Sequence, residues 1–91
     1  MQWLVSFDVA DDKRRYRLTR VLLDYGQRLQ ESVFWLECED DLAERIRLRL
    51  RQAIDEADDN LFIVPACEAC VKKMEGMGKA RIPEIPEFYI F

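Results

Sequence analysis

Histidine is absent from the 91 residues. That excludes general acid–base catalysis by imidazole and every metal site that needs a His ligand. Cysteine is scarce. Cys38, Cys67 and Cys70 make an odd count in a chain with no secretory features, so a disulfide framework is not expected. No apolar run approaches the roughly 20 residues of a membrane span. Nor does the start carry a basic segment followed by a long apolar one. A cytoplasmic protein without membrane contact is the expectation. Its chemistry must rest on carboxylates, thiols, hydroxyls or bound cations.

What is present suits one small domain. Apolar residues make up 49% and charged residues 35%, a globular rather than a disordered balance. A chain of this length buries a limited core, and a partner would help to stabilise it. The net charge of −4 argues against indiscriminate adhesion to nucleic acid. The charge is uneven, however: residues 11–30 hold six Lys/Arg against three acids, while residues 37–59 hold nine acids against four arginines. A local basic surface binds phosphates even on an acidic protein.

The chain is organised around Trp3–Arg17, WLVSFDVADDKRRYR. Alternation over an expected strand, Gln2 to Val9, places Trp3, Val5 and Phe7 on one face and Leu4, Ser6 and Asp8 on the other. A carboxylate among core-strand residues costs free energy unless a cation, a proton or donors satisfy it. Asp11 or Asp12 then caps a helix running to about Tyr25, with Leu18, Val21, Leu22 and Tyr25 as its buried stripe. Arg14, Arg17 and Arg20 follow one another at i+3 spacing on a different face. Basic residues at a helix N-terminus oppose its dipole, which suggests a use other than stability, and phosphate contact is that use. Gly26 ends the helix as a C′ residue.

Gln27–Glu39 reads as strand, with Glu31-Ser32 either a tight turn between two strands or a bulge in one. Asp40-Asp41 caps a second helix, whose apolar face holds Leu42, Ile46, Leu50, Ala53, Ile54 and Ala57. Asp58-Asp59-Asn60 is a turn, and Leu61–Val64 a strand ended by Pro65. Cys70–Met77 is weaker, a strand or a short helical turn. Pro83 and Pro86 interrupt the tail before the β-forming run Phe88–Phe91. The order is the α+β ferredoxin-like βαββαβ sandwich with an additional C-terminal strand. Residues 1–78 form the domain, and residues 79–91 a tail pairing at a sheet edge. Two helices cover one face only, while the first and last strands are apolar on both. A two-fold homodimer through the uncovered face is therefore expected, with the tail strand added to a sheet edge of its own chain or its partner's. Near a two-fold axis one Asp8 per chain becomes two facing carboxylates, which recruit a proton or a divalent cation.

Several pieces in this order resemble the CRISPR-associated protein 2 family: LVSFDVADDKRRYRL (4–18), YGQRLQESVFWLE (25–37) and FIVPACEAC (62–70). The strand Asp followed by an Asp-Asp-basic helix start, together with Arg-x-Gln-x-Ser-Val-Phe, is specific as a combination. The resemblance implies a ferredoxin-like homodimer, described as a metal-dependent nuclease and as the adaptor that inserts spacers into a CRISPR array. It matches Asp8 to a divalent-metal ligand, for Mg2+ or Mn2+, and so to the catalytic centre of an endonuclease. It matches Arg15, Arg17 and Arg28 to phosphate contacts, joined by Arg14 from the helix spacing, and it marks Ser32 and Phe34. Many members carry an aromatic residue where this chain has Glu31, which adds a negative charge near the phosphate path.

Two functions stay open. One is a metal-dependent phosphodiesterase cutting RNA or DNA. The other is a non-catalytic scaffold that bridges integrase subunits and DNA. A generic ferredoxin-like ligand-binding domain is the third reading. The aromatics Trp3, Phe7, Phe34, Trp35 and Phe62 read as core or dimer interface rather than stacking platforms, and Phe34, which the family resemblance marks, is the one to test as a platform. Ser32, without a base, is a poor nucleophile. Cys67 and Cys70 have redox or zinc spacing, but zinc needs four ligands, and buried apolar thiols are the expectation.

Overall fold

The structure is a computed structural model and describes residues 1–83. Four strands, β1 (Gln2–Asp8), β2 (Gly26–Gln30), β3 (Val33–Glu37) and β4 (Asn60–Pro65), form one sheet in the order β2-β3-β1-β4. Every neighbouring pair is antiparallel. Helices α1 (Asp12–Tyr25) and α2 (Ala43–Ala53) connect the strands as the ferredoxin-like pattern requires, and both pack on one face. Alternation in β1 holds: Trp3, Val5 and Phe7 are buried beneath the helices. They meet Leu18 and Leu22 from α1, Ile46 and Leu50 from α2, and Phe34 and Leu36 from β3.

The expected C′ glycine has a different job. Gly26 is extended (φ −160°) and is the first residue of β2. Its missing side chain matters because a Cβ would lie 2.0 Å from the Trp35 carbonyl oxygen. The Glu31-Ser32 alternative resolves as the turn between two strands, and a bulge does occur, but two residues earlier. Glu31 and Ser32 turn the chain between β2 and β3, and the register slips by one between Arg28 and Gln30, so that Leu29 is a bulge.

The second helix starts later and ends earlier than its pattern suggests. Asp40–Leu42 is a 3-10 turn, and no side chain caps α2. The Asp40 carboxylate accepts instead from the N-terminal ammonium of Met1 at 3.2 Å. Ile54 leaves helical geometry, and Ala57 is exposed rather than on the apolar face.

The other face of the sheet is partly covered, where two helices were expected to leave it bare. A short helix, α3 (Glu68–Lys72), occupies the segment read as strand or helical turn. Val71 and Met74 pack on Trp35, Leu29 and Leu4. Trp35 is 1% exposed as a result. Farther along the same face Phe62 stays 67% and Val64 48% exposed. The chain then returns to the outer edge of β2, where the Arg81 N–H donates to the Leu29 carbonyl at 3.0 Å. The expected strand at Phe88–Phe91 lies outside the described residues. No helix among the described residues is long and apolar enough to cross a membrane.

Candidate metal and nucleic-acid site

One end of the sheet gathers the exit of β1, the β2–β3 turn, the entry to β4 and the start of α1. Asp8 closes β1 there, opposite Asn60, with its side chain exposed. Alternation puts it on the face of Leu4 and Ser6, whose cross-strand neighbours on β4 are Val64 and Phe62. The β1 end is pinned to the turn, since the Phe7 N–H donates to the Ser32 carbonyl at 3.1 Å.

Three polar links hold the chain that leaves Asp8. Asp11 caps α1 by accepting from the Arg14 N–H at 2.9 Å, and this bond is the main reason its carboxyl sits below the usual range. Arg15 closes over the loop, donating to the Val9 and Ala10 carbonyls at 3.1 and 3.3 Å and pairing with Asp12. Arg14 reaches across to Asp59, Nε to Oδ2 at 2.8 Å and Nη2 to Oδ1 at 3.2 Å.

Asp59 is the residue that sequence reasoning missed. Read as part of a turn, it is 7% exposed. It accepts the Arg14 fork and also the Asp55 N–H at 2.8 Å. Those bonds, the Arg14 fork first, lower its pKa and raise that of Arg14. Forty-five residues separate the partners, so no local pattern signals the pair. Its effect is to tie the first turn of α1 to the residue before β4, bracing both segments that flank Asp8.

The candidate arginines divide by what they already hold. Arg14 spends its fork on Asp59, and Arg15 spends donors on the loop. Arg17 is exposed and has no ionic or hydrogen-bond partner among the described residues. Arg28 lies over the Phe34 ring, 5.1 Å from its centroid. With Arg15, Tyr16 and Thr19 it lines an open groove of about 330 Å³, into which Asp12 and Glu31 also face. The groove is therefore of mixed charge, and Glu31 stands in it.

Phe34 presents no face to a base. It is fully buried and stacks on Phe7 with ring centroids 6.0 Å apart. Ser32 serves the turn through its carbonyl. The buried-thiol expectation for Cys67 and Cys70 also fails, because both are exposed.

Among the described residues no three His, Cys, Asp or Glu side chains converge on a metal position. Asp8 contributes a single exposed carboxylate. Mg2+ is held by one or two carboxylates and keeps several waters, so the donor chemistry fits once a second copy doubles Asp8.

Comparison with known proteins agrees with this frame. The family model described as "CRISPR associated protein Cas2" matches residues 1–74. A Chloroflexus aurantiacus relative named "CRISPR-associated endoribonuclease Cas2 1" is 36% identical over 85 residues, covering 92% of this chain and 91% of its own length. The crystal structure of Streptococcus pyogenes Cas2 superposes with a TM-score of 0.79 at 31% identity, over 86% of this chain and all of that one. A chain of a solved partial Cas6-RT-Cas1–Cas2 complex gives a TM-score of 0.76 at 27% identity, over 93% of each chain. With the sheet order, the helix start behind Asp8 and the match over residues 1–74 in agreement, this chain belongs to the CRISPR associated protein Cas2 family.

Proposed function

We propose that this protein works in CRISPR adaptation as a two-fold dimer. In this reading it binds nucleic acid and hydrolyses phosphodiester bonds with a divalent ion held between two Asp8 carboxylates. The observation that carries the reading is the shared face: exposed Asp8 lies on the same side of the sheet as exposed Phe62 and Val64. A second copy laid on that apolar patch hides it and brings a second Asp8 to the same region.

Two such carboxylates repel unless a cation or a proton lies between them. Bound Mg2+ or Mn2+ supplies Lewis acidity toward a phosphoryl oxygen and a more acidic attacking water. The chain's own residues do the rest. Asp8 provides the negative charge, while Arg15 and the Arg14–Asp59 pair hold the loop that aims it. Arg17 and Arg28 offer unspent donors to phosphates. The name of the Chloroflexus relative favours RNA as the substrate.

The solved complex containing Cas1 and Cas2 favours a second reading, a scaffold that bridges an integrase subunit and DNA without cutting. Asp8→Ala separates the two. Under the nuclease reading, Mn2+ binding by titration calorimetry and cleavage of single-stranded RNA both vanish. Equal Mn2+ affinity in wild type and variant ends that reading, and spacer insertion that survives the substitution supports the scaffold.

A further inference from the structure

Cys67 and Cys70 belong neither to the core nor to the end of the sheet that carries Asp8. Cys67 directly precedes α3 with an extended backbone (φ −88°, ψ 167°), and Cys70 follows within the first turn. Both side chains are exposed, and their sulfurs stand 3.3 Å apart. A disulfide bond is about 2.0 Å long, so the sulfurs need only roughly 1.3 Å of further approach, within reach of side-chain rotation. No third Cys, Asp or Glu joins them among the described residues, so the pair makes no complete metal site there.

The three thiols are not equivalent. The backbone N–H of Cys70, and then its thiol in contact with the Cys67 sulfur, favour the Cys67 thiolate, and its pKa falls. Burial pushes the Cys38 thiol up. The pair therefore contains an attacking sulfur and a neighbour placed to resolve, while Cys38 is an internal control on the same chain.

We propose that Cys67 and Cys70 are a redox-active dithiol that a low-molecular-weight disulfide, such as glutathione disulfide, oxidises to an intramolecular disulfide. The Cys67 thiolate attacks one sulfur of the small disulfide, forming a mixed disulfide and releasing one small thiolate. The Cys70 thiolate then attacks the Cys67 sulfur and expels the second small thiolate. Two protein thiols are oxidised by two electrons, one small disulfide is reduced to two thiols, and the two protein protons pass to them. The new bond closes across the first turn of α3, where the Val71 N–H donates to the Cys67 carbonyl at 3.0 Å and Val71 covers Trp35.

The test uses the full chain carrying Cys38→Ser, equilibrated in glutathione buffers, alkylated and read by mass spectrometry, with circular dichroism confirming each variant's fold. The expected product is a monomeric species two hydrogens lighter, with the link at Cys67–Cys70, and dithiothreitol reverses it. Adding Cys70→Ser traps a stable glutathione adduct on Cys67. Adding Cys67→Ser leaves Cys70 mostly reduced. In the unsubstituted chain Cys67 alkylates at least about tenfold faster than Cys38 at neutral pH. Separate adducts on both cysteines that never resolve, or cross-links between chains in place of the internal one, overturn the proposal.

Discussion

Asp59 and Gly26 show how much of this protein is decided by single residues whose neighbours are distant in sequence. Asp59 has a folded pKa below its ordinary value of 3.8, because Arg14 and the Asp55 N–H favour the carboxylate. The stabilisation is thus complete above the unfolded pKa and disappears as pH falls through the lower, folded one. Thermal melts of wild type and Asp59→Asn should differ by a constant gap above pH of about 5, closing below about 4. A gap that does not vary with pH would deny the carboxylate this role. Gly26→Ala drives a methyl into the Trp35 carbonyl at 2.0 Å. The clash is with backbone, and a denaturant titration should show a loss of about 3 kcal/mol, the upper end for overpacking. Neither effect is visible in the sequence. An Asp in an Asp-Asp-Asn run looks like a turn residue, and a Gly after a helix looks like a C′ glycine. The true reasons are a salt bridge and a close approach that only folding creates.

At the level of elements, α1 carries two kinds of arginine that its sequence cannot tell apart. Arg14 and Arg15 are braced against the protein, whereas Arg17 on α1 and Arg28 on β2 keep donors unspent among the described residues. Arg17→Glu and Arg28→Glu should therefore weaken nucleic-acid binding while leaving the melting curve nearly unchanged. Fluorescence anisotropy across a salt series should show the log–log slope falling by about one per lost phosphate contact. An unchanged slope would remove these residues from the phosphate path. The helix was legible because its stripe and the Asp11-Asp12 pair at its start are local signals. α3 was not, because five residues give too little periodicity to separate a helical turn from a strand. Its anchoring is nonetheless measurable. Val71→Ala opens space over Trp35 and Leu29, and should cost about 2 kcal/mol in a denaturant melt. A smaller loss than about 0.5 kcal/mol, within the scatter of surface changes, would mean that α3 is only loosely seated.

For the whole molecule, the second face of the sheet is the deciding surface. α3 hides Trp35, yet Phe62 and Val64 remain open beside Asp8. That combination is what a second copy of the chain would cover. Sedimentation should find a dimer at micromolar concentration, and Phe62→Asp should give a folded monomer that, under the nuclease reading, has no RNA cleavage. A wild-type monomer would remove the geometry on which two facing Asp8 carboxylates depend. The net charge of −4 leaves only local basic surface for phosphates, so under the proposed function the log–log salt slope of nucleic-acid binding should be modest, about one per phosphate contact.

By itself the sequence determined the βαββαβ order, the alternation that buries Trp3, Val5 and Phe7, an acidic cap at Asp11 or Asp12, and the place of Asp8 at the end of the first strand. These depend on short-range periodicity and on the preference of particular side chains for helix starts and strand faces. Tertiary structure alone decided which arginines keep unspent donors among the described residues, and that Asp59 is buried against Arg14. It also set α3 over Trp35 on the second face and brought two thiols to 3.3 Å. Those outcomes hang on contacts between segments tens of residues apart, or on side-chain positions that a residue pattern does not encode.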